Sequence, residues 1–142
     1  EDEMFSLIKK FDLSEHILVI KNPPREDVIS AYGKSEFLVM PSQWELSPLV
    51  PLESFAFSRP VISTNSHGIP FTVQNNKNGI LVEPENPAEL SNAIIKLLDN
   101  STQRDSLGSA GYDFVQKECN CISMAKNHLE LYQNVLDNIQ NK

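Results

Sequence analysis

Four short apolar runs, at residues 17–20, 37–40, 60–63 and 80–82, recur along the chain with chain breakers and helix-like segments between them. Runs this short suit strands buried on both faces and are too short for buried helices. Asn22-Pro23-Pro24 breaks the chain after the first run and leads into residues 25–34, where Val28, Ile29 and Tyr32 share one side. Parallel strands need a crossover, usually a helix, so this alternation predicts parallel βαβ units. After the fourth run, Asn86-Pro87 starts a helix with proline at its first position and an apolar face of Leu90, Ile94, Leu97 and Leu98. Ser101 or Thr102 can cap a further helix to about residue 118, with Tyr112, Phe114 and Val115 as its core contacts, and a second amphipathic run covers 122–139. Near the other end, Met4, Phe5, Leu7, Ile8 and Phe11 fit one helical face. The expected fold is α/β: a parallel sheet with flanking helices, followed by two C-terminal helices.

Within that frame, residues 39–57 carry the chemistry. The second apolar run ends in a polar elbow, Pro41-Ser42-Gln43, and passes into a helical segment that is apolar on nearly every side except for Glu53. Glu45 stands in the elbow, eight positions earlier. Desolvating a carboxylate costs several kcal/mol, so a carboxylate in an apolar helix needs a partner. Two readings of Glu53 are open: a structural residue facing water or paired with Arg59, and a ligand-binding carboxylate. The segment follows a strand directly, which places its start at the carboxyl edge of a sheet, where open α/β folds bind ligands. Pro48 and Pro51 lack N–H groups, leaving Ser47, Leu49 and Val50 as the expected free donors of the first turn. Free N–H groups at a helix start favour an anion, phosphate above all. Carboxylates beside them point to a phosphorylated, hydroxyl-rich ligand. In the loop after the third run, Gly68 is read as allowing close backbone approach to a ligand, and His67 as a loop histidine without a chemical role.

A chain of 142 residues is one domain in length. With 12 basic and 19 acidic side chains its formal charge is −7, which excludes general nucleic-acid binding. Cys119 and Cys121, one residue apart, match neither a zinc pair nor a redox motif and read as reduced thiols of a cytoplasmic protein. No stretch has the length of a membrane span or the pattern of a signal peptide. The opening Glu1-Asp2-Glu3 reads as a piece of something longer.

Pro41-Ser42-x-x-Glu45-x7-Glu53 resembles the E-x7-E motif of retaining glycosyltransferases of the two-domain GT-B fold, family 4 in particular. Arg59-Pro60-Val61-Ile62-Ser63-Thr64 is similar to that family's next strand, Ser66-His67-Gly68-Ile69-Pro70 to its glycine-proline loop, and Asn78-Gly79-Ile80-Leu81-Val82 to its last strand. Residues 89–98 are similar to the helix that follows, and the resemblance runs over about residues 12–99. It implies a Rossmann-like donor-binding domain, the C-terminal half of such an enzyme, whose first strands would precede Glu1. In the sheet order this implies, the last three runs pair as neighbours and 17–20 stands apart from them or pairs with another chain. Glu53 would bind donor ribose hydroxyls, Glu45 would lie beside the transferred sugar as the catalytic residue, and the amides of Leu49 and Val50 would meet the diphosphate or ribose. Asn22-Pro23 would flank the base. No metal or cofactor is implied.

The implied activity of the full-length protein is sugar transfer, with retention, from a nucleoside-diphosphate sugar to a carbohydrate or lipid-linked acceptor. Peripheral membrane association fits the lipid-linked case. The chain alone is expected to have no turnover. Alternatives are a GT-B nucleotide-sugar epimerase and a non-catalytic nucleotide-sugar-binding module. The chain departs from the family pattern in three places: Leu46-Ser47-Pro48 replaces a Gly-Phe-Gly type turn, Ser58 a usual glycine, and Phe71 a usual acidic residue. The family's basic diphosphate-binding residues would also lie before Glu1.

Overall fold

The computed structural model describes residues 2–140. Three of the apolar runs form a parallel sheet in the order β1 (Leu38–Met40), β2 (Val61–Thr64) and β3 (Gly79–Val82). Leu38 pairs with Val61, and Val61 in turn with Gly79. The run at 17–20 stays apart from these three, as expected, but forms no strand. A strand exists only through ladder bonds to a neighbour, and among the described residues these four residues have none. Leu18 and Ile20 are exposed there.

Alternation along the strands sends side chains to both faces of the sheet. On one face Val39, Ile62, Ile80 and Val82 pack with Ala93 and Leu97 of α5 (Pro87–Asp99) and Leu107 of α6 (Ser101–Glu118). On the other, Met40 and Val61 pack with Phe55 of α3 (Val50–Ala56), Ile69 of α4 (Ile69–Thr72) and Val73. The crossover from β1 to β2 is α3, so the elbow between β1 and α3 lies at the carboxyl edge of the sheet. Helix α6 lies close against α3. A Cβ on Gly111 would stand 2.4 Å from the Phe55 ring, and one on Gly108 would stand 2.1 Å from the Ser58 carbonyl. Ser58 itself has φ 55°, a left-handed conformation that a glycine would hold without strain.

Helix α5 starts as expected, with Asn86 accepting from the Glu89 N–H at 3.1 Å. The cap of α6 is Asn100, one place before the two expected candidates, accepting from the Gln103 N–H at 2.9 Å. Several expected core contacts are exposed: Leu98 on α5, Tyr112 on α6, and Ile29 on α2 (Arg25–Lys34). The apolar faces of α1 (Asp2–Lys10) and α7 (Cys121–Gln140) are exposed as well, with Phe5 and Ile122 among them. Periodicity identifies side chains that share a face; it does not say that another element covers it. Cys119 and Cys121 are free thiols. No helix among the described residues is long and apolar enough to cross a membrane.

Candidate active site

Where β1 ends at Met40, the next carbonyls lose their ladder partners and must find others. The end of β2 and the loop after it supply them. Ser63 Oγ donates to Met40 O at 2.7 Å, Thr64 Oγ1 to Ser42 O, and Ser66 Oγ to Gln43 O at 2.7 Å. The Gly68 N–H donates to Glu45 O at 2.8 Å. Three hydroxyls and one amide thus fasten the elbow, carbonyl by carbonyl, onto the neighbouring strand and loop.

Gly68 completes this fastening. Its φ of −83° suits any residue, but a Cβ would stand 1.8 Å from Leu46 O. The backbone that approaches Gly68 in the structure is therefore that of Leu46. Gly68→Ala is expected to cost about 1–3 kcal/mol, the range for inserting one methyl into packed structure. The clash is with main chain, which gives way less easily than a side chain. Denaturant unfolding of the variant checks this, and a change within about 0.5 kcal/mol would show that the elbow yields freely.

His67 has φ 47°, with its Nδ1 2.6 Å from Ser66 Oγ and its ring edge-on to the exposed Trp44 at 5.7 Å. The single Ser66 hydroxyl hydrogen goes to Gln43 O, so His67 Nδ1 carries the hydrogen of the second contact.

Helix α3 begins later than the sequence suggests. The residue before a proline is pushed away from helical geometry, and Ser47 precedes Pro48. Leu49 is the N-cap, Val50 the first helical residue, and the first ring closes from Glu53 N to Leu49 O at 3.0 Å. Ser47 lies in the bend before the helix and outside its first turn. The Leu49 and Val50 amides have no protein acceptor among the described residues, and both residues are exposed. With seven residues, α3 is too short for a full macrodipole, so any anion contact there rests on individual N–H groups.

The two carboxylates sit in different surroundings. The half-buried Glu45 has its main chain fixed through Gly68 and its carboxylate without a partner among the described residues. Both oxygens of Glu53 are engaged. Arg25 Nη2 lies 2.7 Å from Oε1, and the Tyr32 hydroxyl donates to Oε2 at 3.0 Å. The hydrogen bond from Arg25 draws the Glu53 carboxyl below the usual carboxylate range; partial burial opposes this and Tyr32 adds to it. Burial, with Glu53 next, pushes the Tyr32 hydroxyl up to about 12. At neutral pH Glu53 is thus an ionised, fixed acceptor. The pairing with Arg59 considered from sequence does not occur: Arg59 Nη2 donates to Gly33 O at 2.8 Å.

Asn22 is exposed, at φ 48°, and the two prolines after it aim the chain into α2, whose first residue is Arg25. Arg25 and Tyr32 are the site residues that sequence reasoning missed. A cation at the start of a helix opposes the helix dipole, but Glu26 and Asp27 in the same turn already supply compensating anions, so the sequence held no signal toward Glu53.

Two cavities lie at opposite edges of the sheet. The larger, about 550 Å³, is lined by Lys77, Phe114 and Lys117 and lies by the turn that enters β3, at the amino edge of the sheet. Open α/β folds take their ligands at the opposite edge. A cavity of about 180 Å³ at the carboxyl edge is lined by Pro41, Gln43, Thr64, Glu83 and Glu85. Its two carboxylates would repel a diphosphate, which leaves the exposed amides of Leu49 and Val50 as the better anion contact.

A family model described as glycosyl transferases group 1 matches residues 1–114. An uncharacterized glycosyltransferase of Methanocaldococcus jannaschii is 36% identical over 112 residues, which are 79% of this chain and 32% of that protein. Among solved structures, sucrose-phosphate synthase from Thermosynechococcus elongatus superposes with a TM-score of 0.83 at 27% identity, over 96% of this chain and 34% of its own. Anabaena HepE, solved in complex with UDP, shares the fold with a TM-score of 0.82 at 18% identity, over 94% of this chain and 36% of its own. The chain thus spans about a third of the length of each of these proteins.

Proposed function

Because this chain belongs to the glycosyl transferases group 1 family and has the Rossmann-like fold of a GT-B C-terminal domain, we propose that it is the donor-binding part of a retaining glycosyltransferase. The full-length enzyme moves a sugar from a nucleoside-diphosphate donor to a carbohydrate or lipid-linked acceptor. The observation that carries this reading is the fastened elbow at the carboxyl edge. It presents a carboxylate without a partner among the described residues, Glu45, and a held one, Glu53, with the amides of Leu49 and Val50, equally without an acceptor among those residues, between them. The sugar-transferring relatives and the UDP complex of HepE support the donor class.

In this reading Glu53 accepts from ribose hydroxyls, and the Leu49 and Val50 amides, with Ser47 beside them, meet the diphosphate. Asn22 flanks the nucleoside. Gly68 acts through the elbow, by holding the Glu45 carbonyl. As the bond to the diphosphate breaks, negative charge grows on the leaving oxygens and positive charge on the sugar; the amides face the first and Glu45 the second. The free edge of β1 is where further strands, carrying cations for the diphosphate, would add.

The test uses the full-length protein with UDP-glucose, GDP-mannose and ADP-glucose and a panel of sugar acceptors. Proton NMR of the product should show the donor's α configuration kept. Glu53→Gln should raise the donor KM about tenfold with a smaller fall in kcat, as expected when a hydrogen bond made equally in ground and transition states is lost. An inverted product would overturn retention. An epimerised donor without transfer would replace the transferase reading by that of an epimerase.

A further inference from the structure

The Arg25–Glu53 pair joins the first residue of α2 to the first turn of α3. The contact is built rather than incidental. Pro23 and Pro24 fix the chain that delivers Arg25, and Asn22 before them is held in a left-handed conformation. A guanidinium at the first position of a helix is at the unfavourable end of the dipole, a cost that Glu26 and Asp27 in the same turn and the Glu53 contact together offset. Tyr32, one side of whose ring stacks with Phe57 at 6.0 Å, holds the other carboxylate oxygen.

The pair remains open to a ligand. The Arg25 side chain is 64% exposed and that of Glu53 31%. Each carboxylate oxygen has two acceptor positions, so one contact apiece leaves one position free on each. A carboxylate pinned at both oxygens by groups on α2 has its plane and its free positions fixed before a ligand arrives. Such pre-organisation lowers the cost of binding.

We propose that Arg25 is a positioning residue for donor recognition: it orients Glu53 so that the carboxylate's free acceptor positions read the ribose hydroxyls, and it thereby sets the preference for ribose over a deoxygenated sugar. The proposal rests on the assignment of Glu53 to the ribose made above. It gives α2, outside the E-x7-E stretch, a share in choosing the donor.

The experiment measures binding of uridine, guanosine and adenosine diphosphates to the full-length protein by calorimetry, each beside its 2′,3′-dideoxy counterpart. The wild type should prefer the ribo form of its nucleotide by about tenfold or more, the range for hydrogen bonds to a charged group. Arg25→Ala should shrink that preference to within about threefold by weakening the ribo form alone, and Arg25→Lys should restore part of it. Circular dichroism and Tm confirm that the variants fold. If both forms weaken equally, or if the preference persists in Arg25→Ala, Arg25 does not act through the ribose contact and the proposal fails, while the donor-binding reading stands. If the wild type binds a nucleotide without preferring ribose, the assignment of Glu53 falls and the proposal falls with it. If none of the nucleotides binds, the donor reading itself is overturned.

Discussion

Glu45→Gln is expected to lower kcat of the full-length enzyme about a hundred- to a thousandfold while leaving the donor KM within about threefold, the pattern of a charge that acts mainly in the transition state. Glu45 is half-buried, its main chain is tied to Gly68, and its carboxylate meets no cation or hydrogen-bond donor among the described residues. Its charge therefore has no counter-charge among the described residues and is available to a positive charge that develops beside it. In sugar transfer one does arrive, on the sugar ring as its bond to diphosphate breaks. Glutamine keeps the shape and the acceptor oxygen but removes the charge, so ground-state contacts survive and the late electrostatic gain is lost. No covalent intermediate is required, since transfer on one face also retains configuration. Glu53 differs in that its charge is already balanced by Arg25, and its expected effect is therefore on KM. Steady-state kinetics of both variants over a donor series decides between the roles. A raised KM alone for Glu45→Gln, with kcat abolished in Glu53→Gln, would exchange them.

Local pattern carried the sheet well. The runs that became β1, β2 and β3 are short, apolar and bounded by breakers, and their parallel direction follows from the crossovers; their order is the one the family resemblance implied. The elbow was legible because a strand, two prolines and two carboxylates fall within one short stretch. The partners of Glu53 were not, because Arg25 and Tyr32 approach it across the sequence, and no local spacing encodes a contact between two helices. Arg59, near in sequence, looked the better partner and is directed to Gly33 O instead. The hydroxyl fastening was equally hidden. Ser63, Thr64 and Ser66 look like an ordinary strand end and loop, and their role appears only when β2 lies beside β1 in register. Helix α7 shows the opposite failure: a regular apolar face predicted packing, but within this chain that face stays exposed.

The other large effect concerns the seat of α3. Phe55→Ala is expected to cost about 3–5 kcal/mol, the range for deleting a buried aromatic ring. Phe55 has no exposed surface and packs with Met40, Val61, Ile69 and Val73 on one face of the sheet. Its ring also lies on Gly111 of α6, where a Cβ would approach to 2.4 Å. Since whole domains are stable by only about 5–15 kcal/mol, the variant should unfold at far lower denaturant and lose about ten degrees or more in Tm. The contact predicts coupling as well as cost. Gly111→Ala alone should destabilise by overpacking against the ring, yet cost much less in a Phe55→Leu background, where the smaller side chain leaves room for the added methyl. Denaturant unfolding of the two single variants and the double variant forms the cycle. Strict additivity would mean that α6 does not rest on Phe55, and α3 would then lack the support that holds Glu53 in line with Arg25.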